Sequence, residues 1–100
     1  MTVYIDPPEW PGHGRMWSHL ISDSSLRELH EFAADIGLPR RAFDRDHYDV
    51  PAESHAAAVR RGAVEVGSRE VVRRLHAAGL RRRRRSPQAP AGPAAPADRG

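Results

Sequence analysis

Thr2-Val3-Tyr4-Ile5-Asp6-Pro7-Pro8-Glu9-Trp10-Pro11-Gly12-His13-Gly14-Arg15-Met16-Trp17-Ser18-His19-Leu20 begins with β-branched and aromatic side chains and breaks at an aspartate followed by two prolines. The first four residues read as a strand, since such side chains suit a pleated, half-buried surface. Proline donates no ladder bond and pushes its predecessor out of helical space, so the strand ends at Ile5 or Asp6. From there to Leu20 the chain collects three prolines, two glycines, both tryptophans and two histidines. That composition reads as a loop, and a loop fixed to a strand end is where chemistry gathers.

Beyond this loop, Ser25 and Glu28 have capping-box spacing, and Leu26, Leu29, Phe32, Ala33 and Ile36 fall on one helical face that Gly37 and Pro39 close. Arg41-Ala42-Phe43 occupies the place where an α/β chain needs a second strand. Pro51 opens a second helix with Ala52, Ala56 and Val59 inward, ended by Gly62. Ala63-Val64-Glu65-Val66 reads as a third strand, and Gly67-Ser68 opens a last helix with Val71, Val72, Leu75 and Ala78 on its apolar face. The order β-α-β-α-β-α predicts an α/β fold with a small three-stranded, mainly parallel sheet joined by right-handed crossovers. Its predicted core is Val3, Ile5, Leu29, Phe32, Ile36, Phe43, Val64, Val66, Val72 and Leu75.

The 100 residues, 39% of them hydrophobic, support one small domain over residues 1–80. A core of that size is marginal, so a bound ligand or a homodimer interface would add stability. Residues 86–100 hold four prolines, five alanines and two glycines and no large apolar side chain, which predicts a disordered tail. The formal charge of +3 averages two segments: residues 1–80 carry ten Arg against twelve Asp or Glu, and residues 81–100 carry six Arg against one Asp. The run Arg81 to Arg85 would attract nucleic acid non-specifically, or simply complement the C-terminal end of the last helix before a solvated tail. Cysteine is absent, which excludes disulfides and thiolate metal sites. No apolar stretch is long enough to span a bilayer and the N-terminus has no signal-peptide pattern, so a cytoplasmic protein without a membrane partner is expected.

In an open α/β sheet, ligands bind beyond the carboxyl ends of the strands, which here lead into residues 6–19, 44–49 and 67–69. Three constellations meet there. Asp44 and Asp46, two apart on an extended segment, would present carboxylates to one cation with Asp6 arriving from the first strand, and magnesium or manganese would suit such oxygen ligands. The plainer reading has Asp46 or Asp49 capping the second helix and Asp44 paired with an Arg in solvent. Asp6, His47 and Asp49 are the candidate acid–base residues, because histidine exchanges protons near neutral pH and carboxylates can hold or accept them. Trp10, His13, Arg15, Trp17, His19 and Tyr48 are the candidate ligand contacts. The tryptophans and Tyr48 would stack on a ring or plug the sheet edge, and Gly12-His13-Gly14-Arg15 would form an anion nest or a simple turn. His19, beside Leu20 and Ile21, also suits a hydrogen-bonded structural role.

Four segments carry a resemblance: Tyr4-Ile5-Asp6-Pro7-Pro8-Glu9-Trp10-Pro11, Trp17-Ser18-His19-Leu20, Glu28-Leu29-His30-Glu31-Phe32-Ala33 and His47-Tyr48-Asp49. Over residues 2–80 the chain resembles a small bacterial family catalogued as domain of unknown function 4031. The resemblance carries no activity and no catalytic residue, and implies that the Arg run and the tail lie outside the shared domain. Two functions of different class fit the residues. One is an enzyme-like or ligand-binding domain with a polar Asp/His/Arg site, a metal ion and a phosphate-bearing or nucleotide-like small molecule. The other is an interaction or accessory domain that docks a partner through the tryptophan loop and touches nucleic acid through its Arg tail.

Overall fold

The computed structural model describes residues 1–81, so the predicted tail and Arg82 to Arg85 lie outside the described residues. Strands β1 (Val3–Ile5), β2 (Trp10–Gly12) and β3 (Arg15–Ser22) come first, then helix α1 (Leu26–Asp35) and a single 3₁₀ turn (Arg40–Ala42). Strands β4 (Phe43–Asp44) and β5 (His47–Pro51), helix α2 (Ala52–Arg61), strand β6 (Val64–Glu65) and helix α3 (Ser68–Ala77) follow. The sheet runs β4-β5-β3-β1-β6, with β2 paired to β3 off this path. Only β6 is parallel to its neighbour β1; the other pairs are antiparallel.

The fold is therefore α/β, but the three-stranded, mainly parallel sheet is replaced by a mixed sheet of six strands. Two hairpins account for the difference. In the first, Gly12 pairs with Arg15, and the two residues between them, His13 at φ 51° and Gly14 at φ 73°, both adopt the left-handed conformation. Two consecutive left-handed residues match the right-handed twist of the flanking strands, so a stretch rich in proline, glycine and histidine folds back as a ribbon. In the second, Asp44 pairs with His47 across Arg45 and Asp46, with Arg45 at φ 61°. The expected strand Arg41-Ala42-Phe43 is mostly the 3₁₀ turn, and pairing begins only at Phe43.

β3 is the long central strand, and its alternation builds both layers. Val3 and Ile5 of β1, Leu20 of β3, and Tyr48 and Val50 of β5 pack with Leu29, Phe32 and Ala33 of α1 and Ala58 of α2. On the other face, Tyr4 and Ile21 pack against Val71 and Leu75 of α3. α1 forms as expected: Ser25 Oγ accepts from the Glu28 amide at 3.0 Å, and Gly37 closes it at φ 80°.

Five of the ten predicted core residues are buried, namely Val3, Ile5, Leu29, Phe32 and Leu75, while Ile36, Phe43 and Val66 are half-buried. Val64 and Val72 are 46% and 40% exposed. Val64 sits on a two-residue edge strand, and Val72 lies one position away from the Val71–Leu75 stripe that α3 turns inward. α2 likewise turns Ala58 inward and leaves Ala52, Ala56 and Val59 exposed. Leu20, fully buried in the larger layer, should cost about 2–5 kcal/mol when replaced by Ala, since a core this small cannot collapse around the void. Val72→Ala should stay within about 0.5 kcal/mol. Urea denaturation of the two variants checks this, and equal losses would contradict the packing described.

Candidate functional site

The side chains that share a sheet face with Tyr4 and Ile21 include His19 of β3 and His47 and Asp49 of β5, because residues two apart on a strand point the same way. The α3 layer takes only Tyr4 and Ile21 from this face, so the β3–β5 half carries polar groups instead. His19 lies directly opposite Asp49 in the β3–β5 register.

Asp6, next after β1, is fully buried and collects four bonds. Oδ1 accepts from the His19 amide at 2.6 Å; Oδ2 accepts from His19 Nδ1 at 2.9 Å, Trp10 Nε1 at 3.1 Å and Ser68 Oγ at 2.8 Å. Burial alone would raise its pKa, but the bonds from His19 and Ser68 and the nearby imidazole outweigh it and hold the carboxyl below the ordinary 3.8. Ser68 does not act as the N-cap of α3, a position Gly67 fills without a side-chain bond; its hydroxyl is turned onto Asp6. With Nδ1–H committed to Asp6, His19 offers Nε2 to the open face.

The second histidine repeats the arrangement. Asp46, also fully buried, meets His47 Nδ1 with Oδ1 at 2.8 Å, while its Oδ2 lies 3.7 Å from Arg81 Nη1. His47 Nε2 lies 3.3 Å from Asp49 Oδ1. Burial lowers the pKa of His47, but the bonds and charges of Asp49 and Asp46 more than reverse this and hold it above the usual 6.5. The two rings meet edge to face at 5.2 Å. One ligand atom each from His19, His47 and Asp49 lies within 4.8 Å of the others, a spacing that one metal ion can bridge.

A cleft of about 720 Å³ opens beside this group. One wall is the β2–β3 hairpin with Trp10, Arg15 and Trp17; another is the segment of residues 37–42 with Arg41; His19 and Asp49 line it, and His47 does not. Trp17 donates Nε1–H to the Gly12 carbonyl at 2.8 Å, and the Arg15 guanidinium stands 5.6 Å over the Trp17 ring while pairing with Glu53.

The predicted site residues thus separate. Asp6, His19, His47, Asp49 and Trp10 come together, and Arg15, His13 and Trp17 border the cleft. The carboxylates of Asp6 and Asp46 each hold a histidine, and Asp44 pairs with Arg45 at 3.3 Å on the β4–β5 hairpin; among the described residues these three do not form the group that can share an ion. Tyr48 points to the opposite face, buried in the core with its hydroxyl 2.8 Å from His30 Nδ1. Gly12-His13-Gly14-Arg15 is the hairpin turn. Ser68 was visible only as a helix start, and the partnership of His19 with Asp49 needed the β3–β5 register.

The family model described as "Protein of unknown function (DUF4031)" matches residues 3–78, and the chain belongs to that family. No curated protein and no solved structure matches it.

Because the folded pKa of Asp6 is below its unfolded value of 3.8, the stability it contributes is present above that value and lost as pH falls through the folded one. Asp6→Asn should therefore be less stable than the parent near about pH 5, with the gap closing as the pH falls through the folded value. Urea midpoints across that range check this; a gap that widens in acid would contradict it.

Proposed function

We propose that the chain is a small metal-dependent enzyme whose centre is His19, His47 and Asp49 and whose substrate is a phosphate-bearing small molecule. The observation that carries the reading is the convergence of two histidines, each held at Nδ1 by a buried carboxylate, on one half-buried carboxylate. A carboxylate behind each imidazole fixes ring and tautomer and raises the basicity of Nε2, the arrangement found behind metal-ligating histidines. Such pairs are costly to bury for structural purposes alone, since each carboxylate must be removed from water.

Two imidazoles and one carboxylate suit zinc or iron(II) better than magnesium, which prefers oxygen ligands. Three protein ligands leave further positions open, as catalytic rather than structural sites do. A bound ion there would acidify a water and polarise a phosphoryl oxygen. In the hydrolysis proposed, the water oxygen bonds to phosphorus, the ester P–O bond breaks, and the water proton ends on the leaving oxygen. Arg41 on the cleft wall supplies donors for the anionic group.

Calorimetric titration of chelator-stripped protein with zinc should show one site, and His19→Gln or Asp49→Asn should abolish it. Asp6→Asn, which removes the carboxylate behind His19 and alters its bonds with Trp10 and Ser68 but leaves the three ligands in place, should weaken it by about 10–100-fold. Zinc-dependent release of phosphate from an aryl phosphate should fall with the same variants. Absence of a single site in the parent, or undiminished binding in His19→Gln, would overturn the reading.

A further inference from the structure

We infer that the cleft selects a nucleoside monophosphate, with the aromatic base on the tryptophan hairpin and the phosphate between Arg41 and the metal group. The placement of the phosphate rests on the metal reading above; the placement of the base rests on the cleft walls alone. Trp10 and Trp17 are opposite one another in the β2–β3 register, and both line the cleft. Trp10 is 45% exposed although its Nε1 is fixed to Asp6 and Ser68, so a large apolar ring is held rigidly at the surface. A tryptophan placed only to fill a core would be turned inward. An immobilised, half-open indole offers a stacking surface at little entropic cost, and base–aromatic stacking contributes about 1–3 kcal/mol.

The charged groups divide across the cleft. Arg15 is occupied by Glu53 and by the Trp17 ring, whereas Arg41 on the opposite wall is exposed and in no ion pair among the described residues. A guanidinium without an ion-pair partner among the described residues, lining the same cleft as two indoles, suits a molecule with a flat ring at one end and a phosphate at the other. A volume of about 720 Å³ accommodates one nucleotide and is too small for a folded partner.

The test compares AMP, ribose 5-phosphate and adenosine by tryptophan fluorescence, on zinc-loaded and on chelator-stripped protein, with zinc binding measured on the same samples. AMP should bind at least tenfold more tightly than either of the other two, and Arg41→Gln should reduce AMP toward the level of adenosine, and to that level in the stripped protein, without changing zinc binding. Equal binding of AMP and ribose 5-phosphate, with zinc still bound, would overturn the ring assignment and leave the metal reading standing. Failure of zinc to bind, with the preference for AMP kept in the stripped protein, would overturn the metal reading and leave the ring assignment standing. An unchanged preference in Arg41→Gln would overturn the role given to that residue.

Discussion

A fully buried carboxylate at the end of the first strand must be satisfied by donors, and the answer to that requirement ties the molecule together. Asp6 draws its donors from β3, from β2 and from the first turn of α3. An unpaired buried carboxylate would cost several kcal/mol, so these four bonds are obligatory rather than incidental. They hold the tryptophan hairpin against the sheet, set the start of α3 and fix the ring of His19. A fully buried carboxylate therefore lies at the junction of three elements, beside the ring of His19.

His47 depends on a different device. Its carboxylate, Asp46, is placed by a two-residue turn in which Arg45 takes a left-handed conformation that a side chain other than glycine seldom adopts. Strain of this kind persists where the surroundings over-determine it. The two histidines are thus supported from opposite sides, His19 through Asp6 at the end of β1 and His47 through Asp46 in the β4–β5 turn. His47 Nε2 lies 3.3 Å from Asp49 Oδ1, and one ligand atom each from His19, His47 and Asp49 lies within 4.8 Å of the others, a gap that an ion can fill. Asp49 and Asp46 on either side of the His47 ring favour its charged form, which holds its pKa above the usual 6.5 despite burial.

The helices were legible because their signals are local: Ser25 with Glu28, Gly37, Gly62 and the 3.6-residue spacing of Leu29, Phe32 and Ala33 are read within one or two turns. The sheet was not. Arg15 to Ser22 shows no clean alternation of polar and apolar residues, prolines, glycines and histidines before it resemble a loop, and the left-handed His13 and Gly14 that turn the chain back are visible only in the fold. Asp46-His47-Tyr48-Asp49-Val50 carried the same ambiguity, since alternating charged and apolar residues there mark a strand with a polar face and an apolar one. Asp6, His19, His47 and Asp49 were each visible as chemical groups. Their grouping required the register of β3 on β5, and the distinction between carboxylates that bind an ion and those that orient a histidine required geometry.

The most direct test of the account is long-range ¹H–¹⁵N NMR of the histidine rings before and after addition of one equivalent of zinc. Both His19 and His47 should show Nδ1 protonated and Nε2 shifted to the range of a metal-bound nitrogen. Ring nitrogens of these two residues that remain unchanged on addition of zinc, or a shift confined to the exposed His13, would contradict it.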